Sequence, residues 1–195
     1  MGAARKLQTF DEMYAVIAAL PDGQHGEILG PGWAREMSRP GAPHATSAKR
    51  LIRRLGSVDG DEGGAWWIEA ELEVVLPGER LYVPDLLGWR VGDGDLSFLG
   101  ENPIRRVPDW ACEILSRASH KGDRVVKLPV YAAAGVGHTW VIDPDGASIE
   151  VYAPRDGVPC LIAHARGDAD VALPPFDLPI NVAALLAPPG VRPPG

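Results

Sequence analysis

Cysteine is scarce in this chain of 195 residues, which contains only Cys112 and Cys160. Two cysteines are too few for a disulfide framework, and on their own they do not make a zinc site. Both lie in apolar, strand-like surroundings, so we expect them to be buried free thiols. The sequence therefore excludes the small disulfide-stabilised proteins and the cysteine-based zinc modules.

Long apolar runs are also missing. No segment approaches the roughly 20 apolar residues that a membrane-spanning helix needs, and the first residues lack the apolar stretch of a secretory signal. We therefore expect a cytoplasmic protein with no membrane contact. Residues 1–187 are long enough for one sizeable core and short for two, so a single domain is expected, followed by a Pro/Gly-rich tail at 188–195.

Positive charge is in deficit, with 19 Lys and Arg against 26 Asp and Glu and a net charge of −7. This balance argues against a protein that coats nucleic acid electrostatically, but not against an enzyme that neutralises its acids with metal ions. One local basic cluster lies on the predicted helix His44–Leu55 and comprises Lys49, Arg50, Arg53 and Arg54. A solvated helix face and a nucleic-acid-binding surface both explain this cluster.

Hydrophobic periodicity predicts alternating helices and strands. Thr9 and Glu12 form a capping box before an amphipathic helix, and a hairpin follows around residues 30–32. A later helix should end at Gly135, with Pro129 either kinking it or marking a later start. From the N-terminus, the predicted strands are 26–30, 33–37, 66–76, 81–89, 108–116, 138–143, 148–152 and 159–164. This pattern indicates a mixed α/β protein.

Acidic residues on the buried strand 108–116 need compensation, because an unpaired buried carboxylate is costly. Asp109 and Glu113 share one face of this strand but lie roughly 13 Å apart, too far to bind one small ion. Asp85, the lone acid of the preceding strand, is the natural partner of Glu113, and two such carboxylates suit Mg²⁺. Lys127 follows on the next helix, where it can reach back over the strand end. Two carboxylates, a lysine and a divalent ion are suited to phosphodiester cleavage.

Several short motifs follow one another in order between about Phe10 and Tyr152. They are Glu27-Ile28-Leu29-Gly30, His44 at a helix start, Pro84-Asp85, Pro108-Asp109-x-x-x-Glu113-x-x-Ser116, Asp123-x-x-x-Lys127-x-x-x-Tyr131, Gly135-Val136 and Trp140-Val141-Ile142-Asp143-Pro144. No single motif is specific, but the ordered set resembles the Uma-two (Uma2) family of putative restriction endonucleases, in the PD-(D/E)XK nuclease superfamily.

The resemblance implies a restriction-endonuclease-like core, with a central mixed β-sheet flanked by helices, that uses Mg²⁺ or Mn²⁺ to cleave DNA. It implies that Asp85 and Glu113 are catalytic metal carboxylates, with the backbone carbonyl of Ile114 as a further ligand. Leu115 stands where the superfamily motif has its lysine, and Lys127 is the expected substitute. Nucleases that cut both strands often act as dimers, so a homodimer is one expected arrangement, although the sequence shows no recognisable dimer interface.

Structural explanations compete with these roles. Glu113 could pair with a nearby arginine, Arg117 or Arg124, while Lys127 could form a surface pair with Asp123. The additional site candidates also have two explanations each: Glu27 is a third carboxylate or a capping or pairing group, Asp109 is catalytic or bonds backbone amides, and His44 contacts phosphate or packs at a helix start. The functional alternatives are a catalytically inactive nuclease-fold module that binds nucleic acid or protein, and a metal-dependent phosphodiesterase acting on RNA or nucleotides.

Overall fold

A six-stranded mixed sheet forms the centre of the computed structural model, which describes residues 8–37, 41–58, 65–91, 96–116 and 123–188. The strands are β1 (His25–Gly30), β2 (Trp33–Met37), β3 (Trp66–Ala70), β4 (Val74–Leu76), β5 (Arg80–Tyr82), β6 (Leu86–Arg90), β7 (Trp110–Ile114), β8 (His138–Asp143), β9 (Ser148–Arg155), β10 (Val158–Arg166), β11 (Asp170–Ala172) and β12 (Pro179–Asn181). The α-helices are α1 (Phe10–Ala18), α2 (Ala42–Leu55), α3 (Leu128–Ala134) and α4 (Val182–Leu186). Short 3₁₀ turns span Gly56–Val58 and Ser97–Gly100, and a π-helical turn spans Asp123–Lys127. The prediction of a mixed sheet flanked by helices is confirmed.

The central sheet has the strand order β10-β9-β8-β7-β6-β3. Its only parallel pair among the described strands is β7–β8, and a parallel pair needs a crossover connection, which here contains α3. A second, antiparallel sheet has the order β2-β1-β5-β4, and β11 pairs with β12. The strand–helix–strand unit predicted around residues 108–143 is therefore confirmed, although the beginning of its helix at 117–122 lies outside the described residues.

Two long predicted strands are wrong in the same way, because each is divided between the two sheets. The strand predicted for 66–76 breaks at Glu71, whose φ is 55°, and the strand predicted for 81–89 breaks at Val83–Asp85, around Pro84. The apolar/polar alternation of residues 68–74 continues through Glu71 although the backbone turns there, and the break around Pro84 likewise moves the chain from one sheet to the other. As a result Asp85 lies at a corner between the sheets.

The two faces of the four-stranded sheet have different partners. One face packs on α1 through Ile28, Val75 and Leu81. The other face carries Leu29 and Tyr82, which pack together with residues of β7 and α3. The capping box predicted at the start of α1 is confirmed. The space between the four-stranded sheet and the β7–α3 unit is therefore a buried layer.

The outer strand β10 is an exposed edge of the central sheet. Three of its large apolar side chains are exposed, Val158, Leu161 and Ile162. Both cysteines are free, as predicted; Cys112 is buried in β7, whereas Cys160 on this edge is only half-buried. In the part of the chain that the structure describes, no helix has the length and apolar character needed to cross a membrane.

Candidate active site

Lys127 lies at the centre of a buried charge cluster. Its Nζ atom is 2.9 Å from Oε1 of Glu27 and 3.1 and 3.0 Å from the two carboxylate oxygens of Glu113. The lysine is 1% exposed, Glu27 is 0% exposed and Glu113 is 3% exposed. The alternative of a surface pair with Asp123 is therefore wrong, and the cation belongs to the layer between the two sheets.

Glu113 reaches this layer because β7 alternates its side chains. Trp110, Cys112 and Ile114 belong to the main hydrophobic core, while Ala111 belongs to the cluster on the other side, which is also the side of Glu113. The hydroxyl group of Tyr131 donates a 2.5 Å hydrogen bond to Oε1 of Glu113. Among the described partners, Glu113 pairs with Lys127 rather than with Arg124. The other arginine considered, Arg117, lies outside the described residues.

Asp85 stands opposite Glu113 at the end of the β6–β7 ladder. The last ladder pair is Leu86 with Cys112, so continuing the antiparallel register by one residue places Asp85 across from Glu113. The Oδ2 atom of Asp85 accepts a 2.6 Å hydrogen bond from the backbone N–H of Ile114. Its Oδ1 atom is 2.9 Å from Nε2 of His44. Two of the predicted carboxylates thus occupy neighbouring strand positions.

Glu27 is fixed by the hairpin that carries it. Its strand partner in the β1–β2 register is Arg35, whose guanidinium donates two hydrogen bonds to Oε2 at 2.9 and 2.6 Å. The backbone N–H of Val83 donates a longer bond of 3.4 Å to Oε1. The pairing role considered for Glu27 is therefore observed, and the group paired with it includes Lys127.

Lys127 is the last residue of the π-helical turn, so it belongs to a different element from the acids that it contacts. α3 begins at Leu128, has Pro129 in its first turn, and ends at Gly135, whose φ is 87°. Pro129 therefore marks a later start of the α-helix, which is one of the two predicted outcomes. On the outer side of the turn, Arg124 pairs with Glu150 of β9, so the turn is held from both sides.

Asp109 has a structural role. Its Oδ2 atom accepts a 2.8 Å hydrogen bond from the backbone N–H of Arg90, and its own N–H donates to the carbonyl of Gly88. These bonds join β7 to β6 at the end of the ladder opposite to Glu113. The structure therefore supports the explanation in which Asp109 bonds backbone amides.

Three carboxylates face two permanent cations in this cluster. The acids are Glu27, Asp85 and Glu113, and the cations are Lys127 and Arg35. Burial raises the pKa of the buried Cys112 thiol, and the negative charges of Asp85 and Glu113 raise it further.

Comparison with known proteins adds the family. The model of Uma2, described as a putative restriction endonuclease, matches residues 7–183. The chain belongs to the Uma2 family. No functionally curated protein matches it. The crystal structure of a putative nuclease belonging to DUF820 from Anabaena variabilis is similar, with a TM-score of 0.73 and 23% sequence identity over 92% of this chain and 98% of that chain. At this identity the structural match shows the shared fold.

The basic cluster of the Uma2 protein divides into two pairs. Arg50 donates to the carbonyls of the C-terminal segment, at 3.2 Å to Leu185 and 2.5 Å to Ala187. Arg54 donates two bonds to the carbonyl of Pro179 at 2.9 and 2.6 Å. Lys49 and Arg53 are exposed. A nucleic-acid role remains a prediction for all four residues, but two of them already have internal acceptors.

Sequence reasoning placed Lys127, Glu113, Asp85, His44 and Glu27 in one site. The contacts above join Lys127 to Glu113 and Glu27, and separately join His44 to Asp85, which the register places across from Glu113. It missed Arg35 as the partner of Glu27. The signal was present, because counting across the hairpin turn at residues 30–32 pairs the two positions. Tyr131 follows Lys127 by four residues in the same motif but received no role, and it bonds Glu113.

Proposed function

We propose that this Uma2 protein is a metal-dependent endonuclease that hydrolyses phosphodiester bonds in DNA. The observation that carries the proposal is the 3.0 Å contact between Lys127 and Glu113. Asp85 occupies the position across from Glu113 on the neighbouring strand and bonds the backbone N–H of Ile114. A lysine next to carboxylates on two neighbouring strand positions supplies both a cationic contact for a phosphate and oxygen ligands for a divalent ion. Membership of a family described as restriction endonucleases supports DNA as the substrate.

The residues present fit Mg²⁺ or Mn²⁺. Asp85 and Glu113 offer carboxylate oxygens, and the backbone carbonyl of Ile114 points to the same side of β7 as its N–H, which bonds Asp85. Within the described ranges no three His, Cys, Asp or Glu side chains cluster as a metal site. An Mg²⁺ ion at Asp85 and Glu113 would therefore have few protein ligands and would keep several waters. When bound, the ion would polarise the scissile phosphate and lower the pKa of the attacking water.

Lys127 is the group that we assign to the reacting phosphate. Its ammonium group is held by Glu27 and Glu113, so it is oriented before substrate arrives and little reorganisation is needed. A fixed positive charge in a buried layer stabilises the negative charge that develops on the phosphoryl oxygens. The lysine reaches this place from the helix that follows β7, because Leu115 occupies the motif position on the strand.

The surrounding residues position these groups. Tyr131 donates to Glu113 and fixes its carboxylate, and His44 contacts one oxygen of Asp85. Arg35 holds Glu27, which in turn holds Lys127. Supporting contacts of this kind affect metal affinity and activity although they do not touch the reacting atoms.

An inactive module that binds nucleic acid or protein is the second candidate. It is favoured by the internal hydrogen bonds that Asp85 and Glu113 already make, and by the missing strand lysine at Leu115. The two candidates differ in one property, since only the endonuclease must cleave DNA in the presence of a divalent ion.

The deciding experiment is nicking of supercoiled plasmid in the presence of Mg²⁺ or Mn²⁺. We expect the wild type to nick, and Glu113→Gln and Asp85→Asn each to lose activity by more than roughly 100-fold, because they remove the carboxylates rather than their supports. The matched control is Glu73→Gln, since Glu73 is an acid bonded by Tyr14 outside the site.

Circular dichroism spectra of all four proteins check that they are folded. If the wild type is inert with both ions while folded, or if the two site variants nick as fast as the control, the endonuclease proposal is wrong. Inert protein that still binds DNA would support the inactive module.

A further inference from the structure

Trp33 is an exposed aromatic side chain at the start of β2. It is 56% exposed, whereas the other exposed large apolar side chains of the described residues are aliphatic: Val16, Ile52, Val125, Val158, Leu161 and Ile162. Trp66, Trp89, Trp110 and Trp140 are all buried. A single exposed aliphatic residue is ordinary, but an exposed tryptophan leaves a large apolar surface and a π-face in water.

The alternation of β2 places Trp33 on the same side of the hairpin as Arg35. The extra residue of the β1–β2 bulge lies on β1, between Ile28 and Gly30, so β2 keeps its period of two. Arg35 contacts Glu27, and Glu27 contacts Lys127. On the opposite face, Ile28 of the neighbouring strand β1 packs on α1. Trp33 therefore projects on the side of the candidate active site, two residues beyond the arginine.

Cations and an aromatic ring follow one another along this side. Lys127 is buried next to the carboxylates, Arg35 has 31% of its side chain exposed, and Trp33 is more exposed still. Nucleic acid offers the complementary groups in the same order, since a phosphate is followed by an aromatic base. Base-on-aromatic stacking is a common source of affinity in nucleic-acid binding that does not depend on sequence.

We propose that Trp33 stacks on a nucleobase next to the phosphate held at the Lys127–Glu113 site. The inference rests on the proposed function, because it assumes that a nucleic-acid phosphate occupies that site. Only a base whose face is uncovered can stack on an indole, and in a paired duplex both faces are covered by neighbours. The substrate is therefore DNA that has an unpaired nucleotide beside the scissile bond.

The test compares binding of two fluorescein-labelled oligonucleotides in EDTA, so that no cleavage occurs. One is a duplex carrying an unpaired nucleotide and the other is the fully paired duplex. We expect Trp33→Ala to weaken binding of the first by roughly 5- to 150-fold and to leave the second nearly unchanged. Trp33→Phe should retain most of the affinity and Trp33→Leu should not, because stacking needs a ring. The slope of affinity against salt should not change, since indole carries no charge.

Leu161→Ala is the matched control. Leu161 is 55% exposed, like Trp33, but lies on the outer edge strand β10 of the other sheet. Its loss should leave both affinities unchanged. Tryptophan fluorescence gives a second measurement, because quenching by the unpaired oligonucleotide should be present in the wild type and reduced in Trp33→Phe.

Three results would overturn the proposal: equal binding of both oligonucleotides by wild type and Trp33→Ala, equal affinity of the Phe and Leu variants, or a wild-type dimer that Trp33→Ala converts to a monomer. The last result would assign Trp33 to a contact between copies. Plasmid nicking separates this proposal from the endonuclease. Trp33-dependent binding without nicking would support stacking and contradict the endonuclease proposal. Nicking without Trp33-dependent binding would support the endonuclease and contradict stacking.

Discussion

Lys127 shows how a single residue makes a charged layer stable. An ammonium group has three donors, and the lysine has three carboxylate oxygens within 3.1 Å, one from Glu27 and two from Glu113. Burying any one of these charges alone would be costly, but each has an opposite charge at hydrogen-bond distance. The cluster is therefore cooperative, since removal of the lysine leaves two buried carboxylates without their shared cation.

We predict that Lys127→Met lowers the free energy of unfolding by about 3–5 kcal/mol, as expected when one partner of a buried ion pair is removed. Urea denaturation of the wild type and the variant at neutral pH measures the difference. Lys49→Met is the control, because Lys49 is exposed and its change should cost less than about 0.5 kcal/mol.

Adding Glu113→Gln to Lys127→Met should recover part of the loss, since it removes the buried carboxylate that pairs with Lys127, whereas Glu27 keeps its ion pair with Arg35. A loss below about 1 kcal/mol in the single variant would show that the contacts of Lys127 contribute little to stability.

The positions of the candidate site residues on neighbouring strands were partly predictable, and the reason is local. Strand alternation and register follow from the sequence pattern, so Asp85 and Glu113 could be paired from the sequence alone. The partner of Glu113 could be identified only from the three-dimensional structure. Lys127 and Tyr131 were on the correct helix face, but a pattern does not show that this face is buried against a second sheet.

At the scale of elements, α4 illustrates a helix that depends on another element. It has only five residues, Val182–Leu186, which is too short to be stable by itself. Asn181 caps its beginning, and the guanidinium of Arg50 from α2 reaches the carbonyls at its end. A cation at a helix C-terminus satisfies carbonyls that have no partner within the helix and complements its dipole.

We predict that Arg50→Met loosens α4, with a loss of about 1.5–3 kcal/mol in its local stability, because hydrogen bonds from a charged donor are lost. Hydrogen exchange of the amides of Leu185 and Leu186 should become faster. Arg53→Met is the matched control from the exposed side of the same helix and should leave these amides unchanged. Equal exchange in Arg50→Met and wild type would contradict the capping role.

Element boundaries were less predictable than element types. Periodicity found α1, the hairpin and β8 with nearly the observed bounds, but joined β3 to β4 and β5 to β6. The turn at Glu71 and the corner at Pro84 are imposed by packing two sheets at once, and alternation does not register a change of sheet. The π-helical turn before α3 is likewise a tertiary solution, since Arg124 and Lys127 must reach different partners.

At the scale of the molecule, two tyrosines in different parts of the fold share one electrostatic feature, a hydrogen bond to a glutamate. Tyr14 of α1 donates to Glu73, and Tyr152 of β9 donates to Glu150, each at 2.8 Å. Burial, reinforced by the neighbouring glutamate, raises the pKa of each of these tyrosines to about 12. Because the pKa in the folded protein exceeds the ordinary value of 10, the folded state favours the protonated phenols.

We predict that this stabilisation is complete below about pH 10 and is lost as the pH rises through about 12. Chemical denaturation of the wild type and of Tyr14→Phe/Tyr152→Phe across this range measures it. The variant should lose less stability with rising pH than the wild type. Phenol absorbance that titrates fully near pH 10 in the folded wild type would contradict the prediction.

The ion-pair network also constrains the order in which the chain can fold. Glu27 and Lys127 are separated by most of the first two-thirds of the sequence, and the contact between them closes a long loop. A chain emerging from the ribosome therefore contains β1, β6 and β7 with their acids well before the cation that neutralises them. Because the layer between the sheets gains its cation only after the crossover following β7 has been made, we expect this buried charge cluster to form late in folding.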